Sequence, residues 1–427
     1  MDDGSRSDRS KSLSAQYRDS KPRILFVAEA VTLAHVARPA VLAATLDRSS
    51  YDVFFAADPR YKHLFPELAD LHRDLWSISS KDFLNSLAKG QPLYTRQILE
   101  RYVLDDLSLI DSIEPDLIIG DFRLSLSVSA RLRNVPYAAI SNTYWTIGSN
   151  NRYSVPQLPM TKLLGVTLSQ HLFTWSRPLA FALHCIPLNS VRKKYGMTSL
   201  GHDLRKIYSD ADQVLLADMA EYFPVADTAK SHHYIGPLPW SPRDQVPPWW
   251  TSIDRAKPIV YVSLGSSGQI DLLPTVLEAL AALPVTVIAA TAGRTTLSSV
   301  PSNAHVSEFI PGDKAADLAS LVICNGGSLT TYQAIQGGTP VLGIASNLDQ
   351  HLNMSYLSAA GIGEVLRTEK ASLNEIRALA ARLLNQAHYK TAALKAQQAA
   401  HGYNVQARLA SLVKDMLRGE PPQPQYN

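Results

Sequence analysis

The chain has 427 residues, 46% hydrophobic and 19% charged, a soluble globular balance with apolar material for two or three ordinary domains. Lys and Arg number 41 against 38 Asp and Glu, and a net charge of +3 gives no electrostatic case for nucleic-acid binding. Two cysteines, Cys185 and Cys324, provide neither a disulfide framework nor a metal motif, and fit a reducing, cytoplasmic compartment.

Residues 1–20 are polar, charged and Ser-rich without the apolar stretch of a signal peptide, so a disordered N-terminal arm is expected. From Lys21 the chain alternates apolar strands and amphipathic helices: strand "RILFVAEA", helix "HVARPAVLAATLDRS", strand "YDVFFAAD". Strand "PDLIIGD", helix "SLSVSARLRN" and strand "PYAAISN" repeat the pattern. Continuous apolar strands followed by helices predict a parallel sheet covered on both faces. The stretch from Tyr144 to Leu204 breaks the rhythm with Trp, Tyr, Pro and Leu, and reads as helical insertions lining a pocket. Its longest apolar run, "LAFALHCIPL", is too short for a membrane span, although peripheral association stays open.

The alternation resumes at "DQVLLAD" and "HHYIGPL", then meets "PWSPRDQVPPWW", whose four prolines continue neither a helix nor a central strand. Residues 239–250 are therefore expected to link a first domain, 21–238, to a second, 251–418. The second restarts with "PIVYVSLGSSG", helix "LLPTVLEALAAL", strands "VTVIAAT" and "AHVSEFI", helix "KAADLA" and strand "LVICNGG". It ends in terminal helices before a loose tail, 419–427. The fold class is α/β: two Rossmann-like domains facing across a cleft.

Ligands of open parallel sheets sit at the carboxyl ends of strands. Three such ends in the second half carry Gly and hydroxyl residues or a turn: "VSLGSSG", "EFIPGD" and "NGGSLTT". Glycine lets a ligand approach the backbone, and a helix start offers unpaired N–H groups to an anion, phosphate above all. "NGGSLTTYQAIQGGTP" is thus either a phosphate cradle or a tight strand-to-helix turn. Asp349 and Gln350, after the next strand, suit hydrogen bonds to sugar hydroxyls; the alternative is a helix N-cap made by Asp349. In the first half, His35 stands where a strand gives way to a helix, and Asp121 ends another parallel strand. Together they have the chemistry of a general base and its orienting carboxylate; alone, such a His is more often a structural residue.

At this point the chain resembles a known family. "NAHVSEFIPGD" through "NGGSLTTYQAIQGGTPVLGIASNLDQHLN" to "AAGIGEVL" is similar to the donor-binding signature of UDP-glycosyltransferase-type enzymes with the GT-B fold. "TLAHVARP", "PDLIIGDFRLSLSVSARLRNVP", "YIGPL" and "VYVSLGSSG" match in order, so the resemblance runs from about Lys21 to Leu417. It implies that His35 deprotonates an acceptor hydroxyl with Asp121 orienting it. Gly265, Ser266, Ser267, Gly326, Gly327, Ser328 and Thr330 would hold the nucleotide diphosphate, with Asn325 beside them. Phe309 and Ile310 would flank the base, Gln333 would face the ribose, and Asp349 and Gln350 the transferred sugar. No metal and no cofactor is implied, because the nucleotide diphosphate sugar is a substrate and backbone N–H groups stabilise its charge.

Two positions depart from the family. Asn325 stands where His is usual and carries no positive charge; Gln333 replaces the ribose-binding Glu and offers one acceptor oxygen where a carboxylate offers two. The second change favours a deoxyribose donor such as a dTDP-sugar. The expected activity is inverting, metal-independent transfer of a hexosyl group from a UDP- or dTDP-sugar to a hydroxyl of a small acceptor. Tyr144, Trp145 and Tyr153, with Phe173, Trp175 and Phe181, are either core or the wall for an apolar or aromatic acceptor. A non-catalytic nucleotide-sugar-binding subunit is the alternative from another class; an epimerase on the same fold has only the fold in its favour.

Overall fold

The computed structural model describes residues 21–226, 229–242 and 246–419. The expected N-terminal arm, residues 243–245 of the linker and the tail beyond Gly419 lie outside them.

The first half forms a seven-stranded sheet from β1 (Arg23–Ala28), β2 (Asp52–Ala57), β3 (His72–Asp74), β4 (Leu117–Asp121), β5 (Tyr137–Ser141), β6 (Gln213–Leu216) and β7 (His232–Tyr234). Their order is β3-β2-β1-β4-β5-β6-β7, and every pairing is parallel. The connecting helices are α1 (Leu33–Thr45), α2 (Ser80–Lys89), α3 (Arg96–Ile113), α4 (Leu126–Leu132), α5 (Pro159–Lys194) and α6 (Leu204–Tyr208). From Ile24 to Ala28, β1 is buried without interruption, because helices cover both faces of the sheet.

The second half holds β8 (Ile259–Ser263), β9 (Thr286–Ala290), β10 (Ala304–Ser307), β11 (Leu321–Cys324), β12 (Val341–Ala345) and β13 (Gly363–Arg367). These too are all parallel, in the order β10-β9-β8-β11-β12-β13. Its helices are α7 (Leu273–Ala281), α8 (Gly312–Leu318), α9 (Ser328–Gln336), α10 (Leu348–Ala359), α11 (Leu373–Asn385) and α12 (Ala387–His401), followed by α13 (Val405–Leu417).

The terminal helices do not all stay with the second half. Leu409, Leu412, Val413 and Met416 of α13 join the core around Ile24, Phe26 and Leu42 of the first. The amphipathic helix therefore buries its apolar stripe against α1 and the first sheet. In each sheet the strand order reverses once, between β1 and β4 and between β8 and β11. Those two switch points are where an open parallel sheet leaves a crevice at its carboxyl ends.

Candidate active site

The wall contributed by the first half is built on its switch point. Ala28, the last residue of β1, is in register with Asp121, the last of β4. His35 lies in the first turn of α1, just beyond β1, with its ring stacked on Phe122 at 4.5 Å between centroids and 9° between planes. Phe122 holds this position with a φ of 58°, a costly backbone conformation for a residue with a Cβ. His35 Nδ1 lies 2.8 Å from Asp121 Oδ1. A carboxylate oxygen accepts, so Nδ1 is assigned as the donor of this bond and Nε2 is the ring nitrogen not engaged by Asp121.

Asp121 has a second partner that the sequence did not announce. Arg38, one turn beyond His35, donates from Nε to Asp121 Oδ2 at 2.7 Å and from Nη2 to Oδ1 at 2.8 Å. Its Nη2 also lies 3.0 Å from His35 Nδ1. Arg38 and Asp121 are both buried. Burial opposes the Arg38 charge, yet Asp121 more than offsets it and holds the guanidinium above its ordinary pKa. The carboxylate beside His35 is thus shared with a fixed cation.

The polar chain continues across the molecule. Arg38 Nη1 donates to Asn142 Oδ1, and Asn142 Nδ2 donates to Asp218 Oδ1 at 3.0 Å. Asp218 also accepts from the Thr143 N–H and, at 2.7 Å, from the hydroxyl of Tyr332 on α9 in the second half. Burial raises the Asp218 pKa, and these hydrogen bonds work against that shift.

The facing wall is built on the second switch point. Gly265, Ser266 and Ser267 follow β8, and Asn325 to Ser328 follow β11, the adjacent strand. Arg294, also not anticipated from the sequence, donates to the carbonyls of Gly265 at 2.9 Å and Gly268 at 2.8 Å, fixing the loop. Asn325 donates to Ser267 Oγ at 3.1 Å and accepts the Gly327 N–H at 3.0 Å. It ties the two loops together. Gly327 caps α9, and Ser328 and Thr330 of its first turn line the cavity.

Gly326 does not line the cavity. Its φ is 81°, and an added Cβ would meet Met354 Cγ at 2.7 Å, so glycine here is required by the turn and by packing. Gly327, at φ −75°, has no such backbone requirement.

The remaining second-half residues meet the cavity in different ways. Phe309 and Ile310 line it. Gln333 lines it while its amide donates to Trp240 O at 2.6 Å and Ser241 Oγ at 3.0 Å, which commits its NH₂ to the linker. Asp349 is not an N-cap; Asn347 caps α10, accepting from the Gln350 N–H while Gln350 Oε1 accepts from the Ser346 and Asn347 N–H groups. Asp349 Oδ1 instead accepts from Trp145 Nε1 of the first half at 2.8 Å. Gln350 Nε2 is a buried donor without a protein partner in a residue that lines the cavity.

The aromatic cluster divides. Trp145 lines the cavity, as do Phe173 and Phe181, but Tyr144 and Tyr153 do not. Tyr144 is fully buried in the core against Phe223, and Tyr153 packs against Phe181 with the Arg177 guanidinium over its ring. Helix α5 supplies the cavity wall where these tyrosines were expected.

Both walls bound one cavity of about 1030 Å³, large for a single small ligand and suited to two substrates. The walls touch beside the candidate base, where the Leu33 N–H lies 3.3 Å from Ser266 Oγ.

Residues 274–411 match the family model of the erythromycin biosynthesis protein CIII-like, C-terminal domain. The PGL/p-HBAD biosynthesis rhamnosyltransferase of Mycobacterium bovis (strain BCG / Pasteur 1173P2) is 49% identical over 373 residues, 87% of this chain and 83% of that protein. A PGL/p-HBAD biosynthesis glycosyltransferase of Mycobacterium tuberculosis (strain ATCC 25177 / H37Ra) is 47% identical over 379 residues, 89% of each chain. Among solved structures, the glycosyltransferase of kitacinnamycin has a TM-score of 0.70 at 18% identity, covering 93% of this chain and 100% of that one. The chain belongs to the UDP-glycosyltransferase-type family and has its GT-B fold. It is a glycosyltransferase.

Proposed function

We propose that this enzyme transfers a rhamnosyl-type sugar, with inversion, from a deoxyribonucleoside diphosphate to a hydroxyl of an apolar or aromatic acceptor. The observation that carries the reading is the placement of His35, paired with Asp121, in the same cavity as the loops after β8 and β11. The kinship with a protein named as a rhamnosyltransferase supports the sugar. Gln333 supports the nucleoside: its NH₂ is engaged by the linker, so its side chain has one carbonyl oxygen for the pentose and not the two acceptors that suit a ribose diol.

In this mechanism the acceptor hydroxyl gives its proton to His35 Nε2 as its oxygen attacks the anomeric carbon. The bond from that carbon to the diphosphate oxygen breaks on the opposite face, which inverts the configuration. Asp121 stabilises the imidazolium that forms. The departing negative charge meets Ser266, Ser267 and the start of α9, whose first N–H groups have no partner within the helix. Among the described residues no group of three or more His, Cys, Asp or Glu side chains could hold a metal ion. Charge stabilisation is assigned in this reading to the Ser266 and Ser267 hydroxyls and the helix-start N–H groups, and transfer is expected to survive excess chelator. Trp145, Phe173 and Phe181 form the apolar side of the acceptor region.

A purely nucleotide-sugar-binding protein would need neither His35 nor its carboxylate, and both are held in place here by burial and ring stacking. The test is incubation of the purified protein with dTDP- or UDP-linked rhamnose and a panel of phenolic and aliphatic alcohols, read by mass spectrometry. The reading expects transfer from the dTDP donor and an inverted anomeric configuration by NMR. Retention, or transfer only from the ribose nucleotide, contradicts it.

A further inference from the structure

Helix α5 has an outer face that the site does not use. Leu168, Leu172, Trp175, Leu179, Leu183 and Ile186 are all exposed, Trp175 at 87% and Leu179 at 66%. Their spacing of three and four residues places them on one side of the helix, a stripe roughly 27 Å long at 1.5 Å per residue. Soluble surfaces rarely leave so many large apolar side chains contiguous without a partner. No helix among the described residues is long and apolar enough to cross a membrane. The stripe is therefore suited to lie along a surface.

Charge says which surface. No Asp or Glu occurs between Asp121 and Asp203, while α5 carries Lys162, Arg177, Arg192, Lys193 and Lys194. Lys193 and Lys194 are exposed beyond the C-terminal end of the stripe. Lys162 is exposed ahead of it in sequence, in the short helical segment before the break at Gly165 (φ 73°), where it also borders the cavity. Lys194 pairs with Glu100 of α3, Arg192 is taken up by Asp210 and Arg177 lies over the Tyr153 ring, so among the described residues Lys162 and Lys193 are the α5 cations with neither a carboxylate nor a ring partner. A second copy is a poor occupant: α5 holds no Asp or Glu, so the exposed Lys193 would find no carboxylate on the same helix of the other copy. An anionic bilayer satisfies both the apolar stripe and the cations that flank it in sequence.

We infer that the outer face of α5 docks this enzyme on an anionic lipid surface. The inner side of the same helix presents Phe173, Phe181 and His184 to the cavity. Docking therefore brings the acceptor region next to the membrane, and an apolar acceptor reaches His35 without crossing water. The docking stands on exposure and charge; the route for the acceptor rests on the function proposed above.

Flotation with phosphatidylcholine vesicles and with mixed phosphatidylcholine–phosphatidylglycerol vesicles tests it, using the wild type and the triple variant Leu172→Glu, Trp175→Glu, Leu179→Glu. None of the three side chains lines the cavity, and all are exposed, so the variant keeps its fold. The wild type should float with the mixed vesicles, less so in high salt, and the variant should bind them about 100-fold more weakly. Calorimetric titration with dTDP should give the same affinity for both proteins. Equal binding by the variant, no binding by the wild type, or equal binding to neutral vesicles overturns the inference. So does a wild-type dimer that the variant disrupts while neither protein floats. Because nucleotide binding is read separately, loss of docking leaves the transferase reading standing, and a protein that docks but transfers nothing counts against the latter alone.

Discussion

Replacing Asp121 by Asn probes two roles of one side chain. The buried carboxylate orients His35 and also neutralises Arg38 through two hydrogen bonds of 2.7 and 2.8 Å. An amide removes the negative charge from both. Arg38, 6% exposed, would then be a buried cation without its counter-ion, and breaking such a pair costs about 3–5 kcal/mol. The account predicts that Asp121→Asn is destabilised by that amount and transfers sugar slowly. Adding Arg38→Met removes the stranded charge, so the double variant should recover most of the lost stability, because a buried ion pair contributes little over an apolar replacement. It should not recover activity, since His35 still lacks its carboxylate. Urea unfolding of wild type, both single variants and the double variant gives the coupling; initial rates on the same preparations give the function. An Asp121→Asn protein as stable as wild type would refute the shared-carboxylate reasoning. A double variant with wild-type turnover would refute the orienting role.

Other expected outcomes concern the loops after β8 and β11 and a buried histidine. Gly268→Ala sets a Cβ 2.1 Å from the Leu264 carbonyl oxygen and displaces the loop after β8, so dTDP affinity by calorimetry should fall about tenfold or more while the fold persists. Gly327→Ala, whose Cβ meets nothing nearer than Asn325 Oδ1 at 3.2 Å, should bind nucleotide close to wild type; a loss as large as that of Gly268→Ala would contradict the contrast. Gly326→Ala is strained by its φ of 81° and by Met354, and should lose roughly 1–3 kcal/mol of stability in urea titrations. His351 is buried, and burial pushes its pKa from 6.5 down to about 4. The folded state then binds fewer protons than the unfolded one, so its contribution is full above pH 6.5 and is lost as the pH falls towards 4. That loss is roughly 3 kcal/mol at most, and His351→Gln should flatten the pH dependence of unfolding by a comparable amount.

The central strands and most of their helices were legible because β1, β4, β5, β8, β9, β11 and β12 are buried along nearly their whole length and read as apolar runs, whereas the outer strands β7, β10 and β13 are only partly buried. The short β3, "HRD", and the helices between Asp58 and Pro115 carry too many charges to announce themselves that way. His35 and Asp121 could be proposed because strand ends locate the crevice. Arg38 was missed because a charged residue in "HVARP" ordinarily reads as solvated; only the pairing of β1 with β4 brings Asp121, 83 positions away, onto it. Asn325 lines the cavity as expected of a donor-side residue, but the sequence did not show that its Nδ2 also ties its loop to Ser267 of the loop after β8 while its Oδ1 accepts the Gly327 N–H. Tyr144 and Tyr153 were separable from Phe173 and Phe181 only once the path of α5 was known, since aromatic composition does not say which side of a wall a ring faces. The amphipathic pattern of α13 announced a helix but not that its receptor was the first sheet.

The most direct test of the account is His35→Ala, because its loss leaves the Asp121–Arg38 pair intact and the loops after β8 and β11 untouched. Single-turnover transfer should slow by about 10²–10⁴-fold, the usual contribution of a general base, while dTDP affinity stays at the wild-type value. Transfer at near the wild-type rate, with nucleotide binding unchanged, would contradict the assignment of His35 as the base.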